Sequence, residues 1–494
     1  MGNRLCEVTD TRDADARSSL TEAIRLSQPP TGGLFVPRNE SMPQVNAQEM
    51  QQMIESSYQD TADTVLGKFE LGLSPADLKT VIDRAYGDQW HNKEITPLRR
   101  LDMSKNLHIL ELGHGPTFAF KNVALELLGR YLDMVNTETL RALGASSGDT
   151  INAAHYAVNG SKHLSSIFLL PDSGPSNVQM LQALANDIRN AMTILVSGDF
   201  DITQAAIKKF NSPEYAEFKK ANNFISFNSI QILRLLAQVV YYFRAYAQMV
   251  KMQAIRQGDE IDFSVPSGNF GDALAGHWAR EMGLPIRKIN VATNENDVLH
   301  RFLETGVYRP QQAPDGTRAR AIKTRAPSQD ITISSNFERA LFWACNGNSS
   351  RVRGWMQDLE KHGLFRVDSS TLGKLRTLFT SSRASDENIL ATQRCVWNEG
   401  KQLIDGHTAT GIFPYLLEQP NIPTVCLSTS HPIQFTSPEG IPPVQEYAEL
   451  VTQFQNRKPQ EGVQYLHTDT NIANIKQAVE EAVRITNRGK DACE

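Results

Sequence analysis

Residues 261–272 read Ile261-Asp-Phe-Ser-Val-Pro-Ser-Gly-Asn-Phe-Gly-Asp272. An apolar run leads into a turn with two glycines, and a helical pattern follows to about Met282. Strand–helix alternation with strands that are apolar throughout predicts an α/β protein with parallel sheets. The same alternation recurs elsewhere, with apolar runs at 107–112, 140–145, 165–170, 193–196, 287–293 and 424–427, and helical patterns at about 122–135, 150–158, 178–191 and 229–255.

The composition is that of an ordinary globular protein. The chain has 494 residues, a net charge of -5, 40% hydrophobic and 21% charged residues. These values predict two or three domains and give no indication of nucleic-acid binding. The five cysteines have no metal-ligand spacing, and no apolar run has the length of a signal peptide or a membrane span. We therefore expect a cytoplasmic protein that binds neither nucleic acid nor membrane.

Three regions are expected along the chain. Residues 1–105 form a mostly helical N-terminal region whose first 30 residues include a flexible start. Residues 106–255 form a smaller α/β domain, and residues 256–494 form a larger one. The stretch 311–328 is rich in Pro, Ala and Arg and is expected to be a surface loop.

The loop that ends at Lys121 is the first candidate site, because ligands of open α/β sheets bind in the loops that follow strands. A glycine–proline turn and the apolar segment Phe118-Ala-Phe120 precede this lysine, which stands at the start of a helix. The helix dipole and apolar neighbours both disfavour a charged amine. A neutral amine can form a Schiff base. A surface lysine is the alternative interpretation of these residues alone.

Two further loops have the features of anion sites. Ser147-Gly-Asp-Thr150 opens a helix with hydroxyl and N–H groups that suit a carboxylate or a phosphate, although an ordinary helix cap has the same composition. Val265–Asp272 has glycines that let the backbone approach a phosphate, although a plain strand–helix turn is the alternative. Histidines and hydroxyls cluster at Asp405–Gly411 and Ser428–Pro432, where structural roles are the commoner interpretation and zinc is a weak alternative.

Taken together and in this order, these loops resemble those of threonine synthases over about residues 30 to 480. The resemblance implies the tryptophan-synthase β-subunit type of fold, fold type II of the pyridoxal-phosphate enzymes, with two parallel-sheet α/β domains and a mostly helical N-terminal extension. It also implies pyridoxal 5′-phosphate as cofactor and the conversion of O-phosphohomoserine and water to threonine and phosphate. Further shared motifs are Gly32–Pro37, Thr96–Leu98, Ala292–Asp297, Ile333–Arg339, His407–Ala409 and His431-Pro432.

The resemblance also implies roles for individual residues. Lys121 would carry the cofactor as a Schiff base and act as general acid and base, and Thr429 would face the pyridine nitrogen. The cofactor phosphate would be held by Ser267, Gly268, Asn269, Phe270 and Gly271. The amino-acid substrate would be bound by Ser147, Gly148, Asp149, Thr150, Asn228, Ser229 and Arg234. The family includes both monomers and homodimers.

Several positions depart from the family, and they cluster where the substrate is expected. Gly174 and Gln434 stand where the family has Arg and Lys, and Asn122 stands where it has Asp. Two lost cations near a dianion site predict phosphate recognition weakened by about two to four orders of magnitude. The other departures are Ile151, Asn152, Phe227 and Gln231.

The expected function is therefore elimination or replacement on a γ-activated four-carbon amino acid, with an altered leaving-group pocket and a role in specialised biosynthesis. An O-acylhomoserine, another γ-activated amino acid and a β-eliminating hydroxyamino acid are the candidate substrates. The first alternative is a genuine threonine synthase. The second is a non-catalytic homologue that binds pyridoxal phosphate.

Overall fold

The computed structural model describes residues 6–38, 41–146, 148–173, 175–313, 318–460 and 462–491. The strands are β1 (Val8–Asp10), β2 (Asp13–Ser18), β3 (Phe35–Pro37), β4 (Leu98–Arg100), β5 (Leu107–Glu111), β6 (Leu140–Ala145), β7 (Leu164–Pro171), β8 (Ala191–Val196), β9 (Phe224–Ile225), β10 (Ile261–Pro266), β11 (Ile286–Thr293), β12 (Val307–Tyr308), β13 (Phe365–Arg366), β14 (Phe379–Arg383), β15 (Thr424–Ser428) and β16 (Tyr465–Thr468).

The α-helices are α1 (Leu20–Leu26), α2 (Ala47–Glu55), α3 (Tyr58–Leu66), α4 (Pro75–Ala85), α5 (Lys121–Val135), α6 (Asp149–Val158), α7 (Asn177–Leu184), α8 (Phe200–Phe210), α9 (Ala216–Ala221), α10 (Ile232–Lys251), α11 (Gly271–Glu281), α12 (Val298–Thr305), α13 (Phe337–Ala344), α14 (Ser349–His362), α15 (Ser369–Leu378), α16 (Asp386–Gly400), α17 (Gly406–Leu417), α18 (Ala448–Asn456) and α19 (Ile472–Asp491). Short 3-10 helices lie at Pro213–Tyr215, Pro327–Gln329 and Pro432–Gln434. No helix within the described ranges is both long and apolar enough to cross a membrane.

Two parallel sheets organise the chain, as the strand–helix alternation predicts. The larger sheet has the order β14-β11-β10-β15-β5-β4 and is parallel except at its edge strand β4. The smaller sheet has the order β16-β8-β7-β6-β9 and is parallel throughout. The long helix α10 is buried from Ile232 to Met249 and packs against α5 as well as α11. It therefore bridges the helical layers of the two sheets.

The N-terminal region contains strands as well as helices. β2, β1 and β3 form an antiparallel sheet, so the expectation of a flexible start is wrong for residues 8–18. The turn between β1 and β2 is fixed by distant contacts. The hydroxyl of Thr11 donates to Glu338 at 2.6 Å, and Arg12 forms an ion pair with the same carboxylate at 2.9 Å. Thr11 and Arg12, from a stretch expected to be flexible, thus hold this hairpin against the rest of the protein.

Two strands cross the expected domain boundaries at residues 105 and 255. Each of them lies in the sheet of the other α/β domain. β5 pairs with β15 of the larger sheet, and β16 pairs with β8 of the smaller one. The reason is side-chain packing over long sequence separations. Ile109 of β5 belongs to the same apolar cluster as Ile412, and Ile475 of α19 belongs to the cluster of Ile194.

One helix is shorter than its apolar pattern predicts. The pattern continues to residue 191, whereas α7 ends at Leu184 and β8 begins at Ala191. Side-chain amides replace the helical hydrogen bonds in between. The Asn186 amide donates to one backbone carbonyl and accepts from one backbone N–H, and the Asn190 amide donates to three carbonyl groups outside the segment. Asparagine amides that compete for backbone groups in this way favour loops over helices.

Candidate active site

Lys121 lies at the junction of the two sheets. It follows β5 of the larger sheet, and its Nζ donates to Oδ2 of Asp149, which follows β6 of the smaller sheet, at 2.8 Å. The expected apolar surroundings are only partly present. Phe118 is fully buried but stacks on His91 and Tyr447. The neighbour that the sequence did not indicate is a carboxylate, which anchors the amine.

Asp149 is held in place by a second layer of hydrogen bonds. Its Oδ1 accepts from the amide of Gln179 at 2.6 Å, and Asn152 donates to the Gln179 carbonyl at 3.1 Å. Gly148 has φ +139, and a Cβ there would lie 3.0 Å from the Gln179 side chain. Burial by itself raises the pKa of Asp149, but the charge of Lys121 and the hydrogen bonds from Lys121 and Gln179 bring it below its ordinary value. The site therefore contains a fixed anion.

The other residues of the loop around Asp149 differ in their burial and in their contacts. Thr150 is half-buried, and its hydroxyl has no hydrogen-bond partner among the described residues. Ser147 lies outside the described residues. Ile151 is fully buried in the main apolar core, so this departure from the family concerns packing and not the substrate.

The loop after β10 forms an open cradle of N–H groups. Phe270 has φ +63 and precedes α11, which begins at Gly271. The backbone N–H groups of residues 268–271 have no hydrogen-bond acceptor in the part of the chain that the structure describes. A Cβ at Gly268 would lie 3.0 Å from the Ser328 carbonyl oxygen. Unpaired N–H groups at a helix N-terminus bind anions, so the residues present fit a phosphate group.

Asn269 links this cradle to the segment expected to bind substrate. Its Oδ1 accepts from the N–H and hydroxyl of Ser335, and the Ser335 hydroxyl lies 3.1 Å from that of Ser229. The neighbouring Asn228 is exposed and accepts from the Ser229 N–H. Ser267 donates its hydroxyl to the Val265 carbonyl oxygen of β10, which leaves the rest of the loop to provide the cradle.

Thr429 lies directly beside the lysine turn. Its carbonyl oxygen accepts from the Phe120 N–H at 2.9 Å, and Ser430 forms a β-bridge with Ala119. The Thr429 hydroxyl has no partner among the described residues, although the residue is buried. A free hydroxyl in this position could form a hydrogen bond with a polar group of a ligand bound beside the lysine turn.

Arg234 is a buried cation without a carboxylate partner in the described part of the chain. Its Nη1 donates to the Phe227 carbonyl at 2.7 Å, and its Nε has no partner. Burial lowers the pKa of Arg234 to about 10. A buried guanidinium of this kind is stabilised when an anion binds near it.

A segment that the sequence assigned to the surface reaches the centre of the site. The Ser328 N–H donates to Nε2 of His407 at 2.9 Å, and its hydroxyl donates to Oδ2 of Asp149 at 3.1 Å. Because Nε2 accepts a hydrogen bond, Nδ1 carries the proton, which it donates to buried Asp405. His407 is therefore neutral and fixes the position of the Ser328 backbone.

The surface-loop prediction for 311–328 is thus wrong at its C-terminal end. Ala326 is fully buried, and Asn294 donates to its carbonyl oxygen at 3.3 Å. The composition of the stretch does not indicate this, because its contacts are made with Asp149 and His407, which lie far away in sequence. Residues 314–317 lie outside the described residues.

Two of the side chains that differ from the family form hydrogen bonds with the same residue, Thr117. Thr117 donates its N–H and hydroxyl to Oδ1 of Asn122, at 3.0 and 2.6 Å, and its carbonyl oxygen accepts from the amide of Gln434. The substitutions expected at 122 and 434 thus replace an acid and a base that flank the same backbone, and the net charge there is unchanged. Gly174, where the family has the other cation, lies outside the described residues.

Within the described residues, no group of three His, Cys, Asp or Glu side chains could hold a metal ion.

Comparisons with known proteins cover almost the whole chain. The family model named "Threonine synthase N terminus" matches residues 8–86. The threonine synthase of Saccharomyces cerevisiae is 36% identical over 451 residues, which is 84% of this chain and 85% of that protein. The crystal structure of PLP-bound threonine synthase from Brucella melitensis has a TM-score of 0.87 and 32% identity, covering 97% of this chain and 99% of that one. The yeast threonine synthase structure has a TM-score of 0.85 and 31% identity, covering 98% and 100%. The expected fold type is therefore confirmed.

Proposed function

Because the chain belongs to the threonine synthase family, whose members are PLP-dependent carbon–oxygen lyases, we propose that it eliminates or replaces the γ-substituent of a four-carbon amino acid. The observation that carries the proposal is the convergence of three loops. Ser328 contacts Lys121 and closely approaches Gly268 of the N–H cradle. The Thr429 carbonyl oxygen accepts from the N–H of Phe120, the residue before the lysine. An amine, a ring-nitrogen partner and a phosphate cradle are the three elements that this cofactor requires.

In this proposal each loop has one task. Bound pyridoxal phosphate supplies an electron sink for the charge left at the substrate Cα. Residues 268–271 bind the phosphate, and Thr429 fixes the ring. Lys121 holds the cofactor and then moves protons at the substrate carbons. Ser147, Gly148 and Thr150 bind the substrate carboxylate, while Asp149 orients the lysine.

We further propose that recognition of a phosphate leaving group is weaker here than in the family. Only the cation missing at Gly174 supports this proposal, because Asn122 and Gln434 replace an acid and a base together and leave the net charge unchanged. One lost charge-assisted hydrogen bond, at Gly174, weakens binding by about ten- to a hundred-fold. An O-acylhomoserine or another γ-activated amino acid with a less charged leaving group is the favoured substrate.

A genuine threonine synthase is the second candidate, and Arg234 favours it. This buried guanidinium lacks a carboxylate partner in the described residues, and Phe227, to which it donates, lies beside Asn228 and Ser229. A phosphate dianion bound there would provide the missing negative charge.

One set of assays separates these candidates. The purified protein is loaded with pyridoxal phosphate, and leaving-group release is compared for O-phosphohomoserine and O-acetylhomoserine, with product identification. Faster acetate release supports the altered pocket, whereas rapid phosphate release with threonine as product makes the protein a threonine synthase. A visible cofactor band without turnover of either substrate supports a non-catalytic homologue.

The lysine assignment has its own control. Lys121→Ala is expected to abolish the visible band, and Lys105→Ala, a change at an exposed lysine, is expected to leave it intact. A normal band in Lys121→Ala would refute the site.

A cytoplasmic location and a monomeric or homodimeric state stay predictions, which cell fractionation and light scattering test.

A further inference from the structure

Two acceptors contact the amine of Lys121. Nζ lies 2.8 Å from Oδ2 of Asp149 and 3.5 Å from Oγ of Ser328. The hydroxyl of Ser328 has a single proton, which it donates to the same Oδ2 of Asp149 at 3.1 Å. Its lone pairs therefore face the lysine, so the serine can only accept from Nζ. The three polar groups form a closed triangle, in which Lys121 and Ser328 both donate to Asp149 and Ser328 also accepts from Lys121.

Ser328 is held rigidly enough to act as a fixed acceptor. Its N–H donates to His407 at 2.9 Å, and His407 is fixed by the buried Asp405. The next side chain, Gln329, donates to the Ala292 carbonyl oxygen at 2.9 Å. Hydrogen bonds on both sides of the hydroxyl thus fix it to the larger sheet, while its acceptor Asp149 belongs to the smaller one.

The triangle restricts where a neutral lysine amine can direct its lone pair. The nitrogen has three positions besides its bond to Cε, namely two N–H groups and one lone pair. One anchored N–H leaves two positions open to the lone pair. A second anchored N–H leaves only one. Asp149 alone therefore orients the amine incompletely, and Ser328 removes the remaining ambiguity.

We infer that Ser328 is a positioning residue that aims the lone pair of the Lys121 amine at the substrate Cα proton. The inference rests on the proposed role of Lys121 as the base. In this step the Cα–H bond breaks, the proton forms a bond to Nζ, and the electron pair stays at Cα, where pyridoxal phosphate, when bound, would delocalise it. Ser328 neither gains nor loses a proton.

The test uses two readouts that should move in opposite directions. The first is the rate at which cofactor-free protein captures added pyridoxal phosphate, which only the neutral amine can do. Ser328→Ala removes one of the two acceptors that hold the Lys121 N–H groups. The amine is then freer to attack, so capture is expected to become roughly fivefold faster. The second is exchange of the Cα proton of L-2-aminobutyrate with D2O in the loaded enzyme, followed by NMR. This exchange is expected to become roughly fivefold slower.

Two further variants make the result specific. Ser328→Thr keeps the hydroxyl and is expected to restore both rates towards those of the wild type. Ser334→Ala removes a nearby buried hydroxyl that has no partner, and is expected to change neither rate. Unchanged rates in Ser328→Ala, slowing of both rates, or equal effects in Ser334→Ala would overturn the inference. Failure of the wild type to capture cofactor or exchange the proton would instead refute the proposed function.

Discussion

Asn122 and Gln434 bind opposite ends of the same residue. Asn122 accepts from the N–H and hydroxyl of Thr117, and Gln434 donates to its carbonyl oxygen. These partners on Thr117 fix the orientation of both amides. The other atoms of the two amides, Nδ2 of Asn122 and Oε1 of Gln434, are buried without partners. Nδ2 of Asn122 is a donor and Oε1 of Gln434 is an acceptor. The two amides thus provide one group of each kind, at positions where the family is expected to have an acid and a base.

The first prediction is that the two positions are energetically coupled. Asn122→Asp alone buries an unpaired carboxylate, and Gln434→Lys alone buries an unpaired ammonium, so each is expected to lower the unfolding free energy by about 3–5 kcal/mol. The double variant restores opposite charges and should lose much less than the sum. Urea denaturation of the four proteins measures the coupling. Additive losses would mean that the two side chains do not interact.

The second prediction concerns Asp405 and His407, which fix the position of the Ser328 backbone. Asp405→Asn is expected to weaken pyridoxal-phosphate binding about tenfold or more, because the His407 proton at Nδ1 loses its charged acceptor and the imidazole no longer presents a fixed Nε2. Fluorescence titration of the cofactor-free protein measures this. Asp368→Asn is the control, since Asp368 also caps a helix but is exposed. Equal loss in both variants would show a general effect on helix stability.

The third prediction tests the close approach over the phosphate cradle. Gly268→Ala places a Cβ 3.0 Å from the Ser328 carbonyl oxygen and 3.2 Å from the Gln329 Cα. Both contacts are with backbone atoms, so the segment must move, and cofactor affinity is expected to fall by about tenfold or more. Gly354→Ala is the matched control, because its Cβ would meet nothing within 4 Å and lies in a helix. Unchanged affinity in Gly268→Ala would place the phosphate elsewhere.

The fourth prediction is a pH dependence of stability. Burial raises the pKa of Asp272 to about 7, although hydrogen bonds from Tyr241 and Tyr242 oppose this shift. Between about pH 4 and 7 the folded protein therefore holds a proton that the unfolded chain has lost, so this residue makes stability fall as pH rises through that range.

Asp272→Asn keeps the acceptor for the tyrosine hydroxyls and removes the titration. Relative to the wild type, it is expected to gain stability on the order of 1–4 kcal/mol from pH 4.5 to pH 8. Denaturation curves at the two pH values measure this difference. A constant difference between the two proteins would mean that Asp272 does not titrate in this range.

Local patterns were sufficient for one part of the site. The lysine at the start of α5 and the glycine-bracketed turn before α11 could be predicted because each lies between a strand and a helix that are adjacent in sequence. Asp149 was expected to face a substrate carboxylate, but it binds Lys121 instead. The contacts of Ser328 could not be predicted, because they join residues far apart in sequence whose pairing depends on the packing of the two sheets.

The position of β16 has a consequence for the order in which the protein folds during synthesis. β16 lies beside β8, with Tyr465 opposite Thr193 and Thr468 opposite Val196. On the ribosome, the edge of β8 has no partner until residues near 468 have emerged. An unpaired strand edge is prone to wrong pairing. The sheet that carries Asp149 is therefore among the last parts to be completed, although its first strand, β6, is made early, and the nascent chain must protect that edge while the larger sheet forms.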